Sequence, residues 1–341
     1  MPPIRSTRRE FVIGAPLALT AAATVRATPV LQPQNLNFMV IGDWGRGDGD
    51  QRRVAAAMLA IQQQKGSEFV VSTGDNFYWS GVGSVSDKQW DSSFERIYAE
   101  DLGVWHAVLG NHDYGGNVDA QIERCFRSGS RWHMPDHCFD RLIRRPGLPD
   151  LHLFFIDTVA WVGKEELPFS LLGSKTGRAA QEAQLAKLSA LLGQSTAPIK
   201  LVFGHYGIHS IGTHGGRMRM PELDALLRNH RVTAYVNGHD HCLYHISHAG
   251  MHYVCSGAGS QVLPDYSGGR AAGCVLPVSC PAGSTDPSAP LWHSFLGKSR
   301  DPAKSLPGGF ALFTLTAQDL SFAFYDGAGK MRHVATLARF A

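Results

Sequence analysis

The 341-residue sequence predicts an α/β fold of two mixed β-sheets packed face to face with helices outside, a four-layer sandwich. Three observations predict it. Short, continuously apolar runs rich in β-branched and aromatic residues recur along the chain, as strands buried on both faces require. Helical patterns separate several of these runs, the alternation expected of an α/β sheet. The C-terminal stretch instead alternates in the manner of antiparallel strands joined by tight turns.

In chain order, the runs are "LNFMVIGD" ending at Asp43, "EFVVSTGD" at Asp75, "WHAVLGN" at Asn111, "IKLVFGH" at His205 and "VTAYVNGH" at His239. Each closes on glycine followed by a potential metal ligand. Glycine lets the chain leave the strand sharply without a side chain crowding what lies beyond. Ligands of α/β sheets bind past the carboxyl ends of the strands, where these residues fall. Helices are expected over 50–65, with apolar residues at 54, 58 and 61, over 177–193 with a closing glycine, and over 221–230 with proline in the first turn. "GGFALFTLTAQDLSFAFYDGAGKMRHVATLARF" supplies the antiparallel strands, turning at Gln318–Asp319 and at "DGAGK". A Gly/Pro/Ser-rich loop is expected over 264–307, inside a single catalytic domain spanning 36–341.

Composition excludes some function classes. Hydrophobic residues make up 44% of the chain, as in an ordinary globular protein. Residues 1–27 carry Arg5, Arg8, Arg9 and Arg26 against Glu10, and the rest holds 28 basic and 28 acidic side chains. A neutral mature chain argues against a general electrostatic surface for nucleic acid or membrane. "STRREFV" and the modest apolar "VIGAPLALTAAATV" resemble a bacterial twin-arginine signal, with cleavage after Ala27 and a short linker over 28–35. The stretch is too short and alanine-rich for a stable membrane span. The expected location is periplasmic or secreted, with the twin-arginine export machinery as a transient partner.

Six cysteines, Cys125, Cys138, Cys242, Cys255, Cys274 and Cys280, suit an oxidising compartment. A hairpin turning near His248 and Ala249 is expected to set Cys242 opposite Cys255 as a disulfide. The near neighbours 125/138 and 274/280 would complete the set.

As a set, Asp43, Asp75, Tyr78, Asn111, His205, His239 and His241 supply two carboxylates, a phenol, an amide oxygen and three imidazoles at or beyond strand ends. Seven donors exceed a tetrahedral zinc site, which takes four. They suit two ions about 3.5–4 Å apart sharing a carboxylate, the arrangement used for in-line displacement at phosphorus. Oxygen and imidazole donors fit iron, manganese or zinc. In "GHDH", residues two apart face the same way on an extended segment, so His239 and His241 can each address one ion. Tyr78, taken alone, reads either as a core tyrosine or as a metal-bound phenolate. Trp44 and Trp79 read either as pocket walls or as core packing. His106, His209, His245, His248 and His252 read as packed or solvated histidines.

The words "GDWG", "GDNFYWSGV", "GNHDYGGN", "GHY" and "GHDH" resemble the purple acid phosphatases of the calcineurin-like metallophosphoesterase superfamily, particularly the small tartrate-resistant type. "FERIY", "NVDAQIE", "RWHMP", "IDTVAWVG" and "SGAGS" extend the likeness over roughly residues 36 to 335. The resemblance implies the metallophosphoesterase fold. It places Asp43, Asp75, Tyr78 and His241 on ferric iron, and Asp75, Asn111, His205 and His239 on a second divalent metal (iron, zinc or manganese), with Asp75 bridging. It implies hydrolysis of phosphomonoesters by metal-bound hydroxide at acidic pH. His112 would protonate the leaving group with Asp113 orienting it, and His214 would be a second substrate-side histidine. The family often has glutamate before that histidine; Thr213 stands there instead. Expected partners are small phosphate esters, with phosphorylated peptides or nucleotides as further candidates. Rival readings are a phosphodiesterase or nucleotide hydrolase on the same scaffold, and an iron-redox protein generating oxygen radicals.

Overall fold

Every predicted strand end with a ligand candidate lies at the carboxyl end of an observed strand. The structure is a computed structural model that describes residues 35–161, 177–212, 214, 220–248, 250–263, 292–296, 298 and 306–340. Residues 1–27, most of the 28–35 linker, Thr213, Cys274, Cys280 and most of 264–307 lie outside the described residues.

The elements run β1 (Leu36–Ile41), α1 (Gly49–Lys65), β2 (Phe69–Ser72), β3 (Val104–Ala107), α2 (Val118–Cys125), β4 (Trp132–His133), β5 (Cys138–Ile143), β6 (Leu151–Ile156) and α3 (Arg178–Gln194). They continue with β7 (Ile199–Phe203), α4 (Pro221–Asn229), β8 (Ala234–Asn237), β9 (Leu243–His248), β10 (Met251–Ser256), β11 (Trp292–Leu296), β12 (Gly309–Leu315), β13 (Asp319–Asp326) and β14 (Met331–Arg339). One seven-stranded sheet has the order β14-β13-β12-β1-β2-β3-β4, the other β11-β9-β10-β8-β7-β6-β5. Both are mixed: β1, β2 and β3 run parallel while β12 joins β1 antiparallel. In the second sheet β6, β7, β8 and β10 are parallel and β5 and β9 antiparallel. Among the described residues, no helix is long and apolar enough to cross a membrane.

The core follows from the apolar runs. Phe38 stacks on Phe69 and Phe313 across β2, β1 and β12, and Phe155 stacks between Phe139 and Phe203 in the other sheet. Helix α1 begins where the Asp48 carboxylate accepts the Gln51 N–H and ends at Gly66 in the left-handed region, burying Val54, Met58 and Ile61. The outer face of the second sheet is covered by Leu188 and Leu192 of α3 and Leu223 and Leu227 of α4.

Two expectations are corrected, and two strands are added. Gly193 lies inside α3, and Ser195 in an extended conformation caps it. Strands β5 and β6 were not anticipated; "IRRPG" begins the turn that joins them. The β9–β10 hairpin forms, with Met251 paired to His248, but its register pairs Cys255 with Tyr244. Cys242 precedes β9, and its carbonyl accepts the Gly257 N–H. The two cysteines are diagonal rather than opposite. Cys125, Cys138, Cys242 and Cys255 all carry free thiols.

Candidate metal centre

Five strand ends converge on one place, and the backbone there is unusual. Among the described residues five non-glycine residues hold a left-handed φ, and four are Asp43, Asp75, His239 and His241. Such conformations persist only where the surroundings over-determine them, and they concentrate at functional sites. The glycines matter through proximity. A Cβ on Gly110 would sit 2.0 Å from the Asp75 nitrogen, and one on Gly74, itself at φ +94°, would sit 2.7 Å from His205 Nδ1. The junctions are close-packed against one another, which only glycine permits.

Asp75 is the centre of the cluster. The Tyr78 hydroxyl donates to its Oδ2 at 3.0 Å, while its Oδ1 lies 3.5 Å from His205 Nε2 and accepts the His112 N–H at 2.8 Å. On one side, Tyr78 Oη is 3.4 Å from Asp43 Oδ1 and 3.3 Å from His241 Nε2, and His241 Nε2 is 3.7 Å from Asp43 Oδ1. On the other, His205 Nε2 is 3.0 Å from Asn111 Oδ1, and the His205 and His239 rings are 5.1 Å apart. Asp43 Oδ2 accepts the His239 N–H at 2.8 Å. All seven predicted donors are brought together.

The histidine tautomers follow from their partners. His205 Nδ1 donates to Thr73 O at 2.9 Å and His241 Nδ1 to Gln261 O at 3.1 Å, so each Nε2 offers a lone pair to the cluster. Burial lowers all three imidazoles, His241 to about 4, which keeps them neutral as ligands must be. Burial and the neighbouring Asp75 push the Asp43 carboxyl up. Burial also raises Asp75, but the facing His205 and His112 and the His112 N–H bond outweigh it and hold that carboxyl low. Burial and the two carboxylates push the Tyr78 phenol up. Two carboxylates at most 1% exposed, with no lysine or arginine paired to either among the described residues, are costly alone. Asp43, Asp75 and His241 offer ligand atoms within 4.8 Å of one another. The donor set fits hard or borderline cations.

Around this cluster stand the substrate-side candidates. His112 Nδ1 donates to Trp79 O at 2.8 Å, leaving Nε2 4.0 Å from Asp75 Oδ2. The ring of His214 lies 4.7 Å from that of His239. Upstream of it, Asp240 holds Ser210: its Oδ2 accepts from Ser210 Oγ at 2.7 Å and lies 3.0 Å from the Tyr244 hydroxyl.

Asp113 is not where an orienting partner of His112 would be. Its carboxylate accepts backbone N–H bonds from Asn76, Phe77 and Gly110, and side-chain bonds from Asn76 and Gln121. Burial and the nearby Asp75 push it up to about 7, against the pull of those donors. It staples the Asn76 and Asn111 loops together, and the Trp79 carbonyl orients His112. Reasoning from sequence missed Asn76, Gln121, Asp240 and that carbonyl. Asp240 stands inside "GHDH" and was legible as part of the motif; a backbone oxygen has no signature. The two tryptophans divide. Trp44 is fully buried and donates to Ser72 Oγ at 2.8 Å, whereas Trp79 is 59% exposed at the rim.

With this geometry in hand, the profile of the calcineurin-like phosphoesterases matches residues 36–243. Purple acid phosphatase 3 of Arabidopsis thaliana is 37% identical, covering 70% of this chain and 68% of its own. Tartrate-resistant acid phosphatase type 5 of Oryctolagus cuniculus is 31% identical over 89% of this chain and 90% of its own. This chain belongs to the calcineurin-like phosphoesterase family, in its purple acid phosphatase branch. Membership makes it a metal-dependent phosphatase, and the family implies a dimetal centre. Among solved structures, GAP50, the anchor in the inner membrane complex of Plasmodium, superposes with a TM-score of 0.70 at 22% identity, covering 90% of each chain. That likeness concerns the fold alone; function has to be argued from the site.

Proposed function

We propose that this chain is an exported acid phosphatase that hydrolyses phosphomonoesters at an iron-containing two-metal centre. The observation that carries this reading is the position of Asp75, which turns one oxygen to Tyr78 and the other to His205. A carboxylate so placed can bridge two ions. Asp43, Tyr78 and His241 would complete the ferric side; Asn111, His205 and His239 would complete the side of a divalent iron, zinc or manganese ion. When bound, the ions supply Lewis acidity that activates water at acidic pH and neutralises charge on the phosphoryl group.

The chain's own groups do the rest. The Trp79 carbonyl holds the His112 Nδ1–H, so Nε2 is the nitrogen turned to the substrate, and from the imidazolium form it would give its proton to the leaving oxygen. His214, held beside His239, faces the substrate side. Thr213, preceding it, offers a hydroxyl and no carboxylic acid. The arginine pair of residues 8 and 9 and the apolar stretch after it support export to the periplasm or beyond.

The visible spectrum of the purified, exported protein tests the reading. A purple band lost in Tyr78→Phe, with phosphate release fastest at acidic pH, is expected from a phenolate on ferric iron. Iron-loaded protein that is colourless after mild oxidation would remove Tyr78 from the metal and the iron assignment with it.

A further inference from the structure

The ring of Trp79 is a site-proximal aromatic that the proposed chemistry leaves unused. A large apolar side chain 59% exposed loses the stabilisation of burial. Its neighbours belong to the centre: the rings of Tyr78 and His112 lie 5.5 Å and 5.8 Å away, both edge-on. The Arg46 guanidinium lies over the Trp79 ring, 4.5 Å from its centroid. Arg46 is itself pinned, Nε donating to Asp48 Oδ2 at 3.0 Å and NH1 to Gln261 Oε1 at 2.5 Å. A cation held over one face fixes the ring, of which more than half remains exposed to solvent. Because the Trp79 carbonyl also orients His112, the ring stands on the side where a leaving group takes its proton.

We infer that Trp79, backed by Arg46, is a stacking platform for the leaving group, and that it selects phosphate monoesters whose alcohol carries a planar aromatic ring. This rests on the phosphatase reading above and on His112 marking the leaving-group side. The ring can sit next to the ester carbon, as in a benzyl ester, or one sugar away, as in a nucleoside 5′-phosphate. Both present a π-face to the indole, and offset stacking of two such rings requires no hydrogen-bond match.

Matched pairs of esters isolate the ring from leaving-group acidity. Benzyl phosphate is compared with cyclohexylmethyl phosphate, and adenosine 5′-monophosphate with ribose 5-phosphate, by kcat/KM on the metal-loaded enzyme. The aromatic member is expected to be favoured by about threefold to tenfold in at least one pair. That ratio should fall towards one in Trp79→Ala and be largely restored in Trp79→Phe. Preference in the benzyl pair alone puts the ring at the ester carbon; preference in the nucleotide pair alone puts it one sugar further out. Ratios near one in the wild type, or ratios unmoved by Trp79→Ala, overturn the inference while leaving the phosphatase reading intact. If no ester is hydrolysed, the phosphatase reading fails, and indole fluorescence still decides this one. Adenosine and benzylphosphonate should quench the wild type more than Trp79→Phe, and equal quenching of both proteins sinks the platform.

Discussion

Two of the groups of buried histidines among the described residues have surroundings that teach opposite lessons. In the candidate centre, His205 and His241 each anchor Nδ1 on a carbonyl and turn Nε2 towards a carboxylate. Against β14, His245 stands among other imidazoles: its Nε2 lies 2.9 Å from His252 Nδ1, and the His333 ring is 5.7 Å away. Both groups are lowered by burial, His241 to about 4 and His245 to about 3. In the centre the Asp75 charge pulls His241 back up, while the imidazoles of His252 and His333 lower His245 further. A depressed imidazole therefore does not mark a site. Carboxylates facing it, on a strained backbone, do.

The contrast breaks most sharply at Asp75. Asp75→Asn keeps the shape but removes the charge that both halves of the centre share. Activity should fall by about three orders of magnitude, and metal analysis should find at least one ion lost per chain. Chelation of the wild type should reproduce the loss and lower the unfolding midpoint, since a ligand at about a thousand times its Kd stabilises by about 4 kcal/mol. An Asp75→Asn protein with full metal content and activity would end the bridging assignment.

His112 comes next. Truncation to alanine removes the proton donor and leaves every proposed metal ligand in place. A loss in kcat of about a hundredfold to a thousandfold is expected with alkyl phosphates, shrinking as the leaving group becomes more acidic. An equal loss for all leaving groups would show that His112 binds the phosphate without protonating anything. Asp113→Asn tests the neighbouring role. Its new amide N–H would face the donors from Asn76, Phe77, Gly110 and Gln121, costing about 3 kcal/mol in a denaturant titration. As Asp113 acts through the loops and not on the imidazole, the dependence on leaving-group acidity should keep its slope.

What was legible in the sequence has a common cause. Asp43, Asp75, Asn111, His205 and His239 each follow an apolar run and a glycine, so strand direction alone carries them to one end of the sheets. Tyr78 came from family resemblance, since a phenol three residues past Asp75 fits core packing equally well. The role of Asp113 was illegible because its donors come from the Asn76 loop and from Gln121 on α2, far apart in sequence. Cys242 was misplaced by two positions of register. The strand begins only after it, following a left-handed His241, and hydrophobic alternation does not report where pairing starts. Trp44 and Trp79 were indistinguishable because exposure is a tertiary property; one completes a nest of rings with Phe77, Tyr98 and Trp105, the other does not.

The smallest effect, and the one that separates the two groups of histidines most cleanly, is expected at His245. Its folded pKa of about 3 lies below the ordinary histidine value of about 6.5. A depressed histidine contributes its stability above the unfolded value and loses it as pH falls through that value towards the folded one. Between pH 6.5 and pH 4.5 this single residue should cost the wild type about 2–3 kcal/mol, because the unfolded chain gains a proton that the folded one refuses. His245→Phe removes that proton and can pack against Phe322, whose ring centroid is 5.1 Å away. At neutral pH it should lose about 1 kcal/mol with the bond to His252. At pH 4.5 it should instead be the more stable protein, with phosphate release unaltered at both values. Denaturant midpoints of the two proteins at pH 7 and 4.5 give the test. If the curves stay parallel across the window, His245 is protonated in the folded state and its cluster is solvated; if they cross, buried neutrality there belongs to packing, and the carboxylate-facing histidines belong to the metal centre.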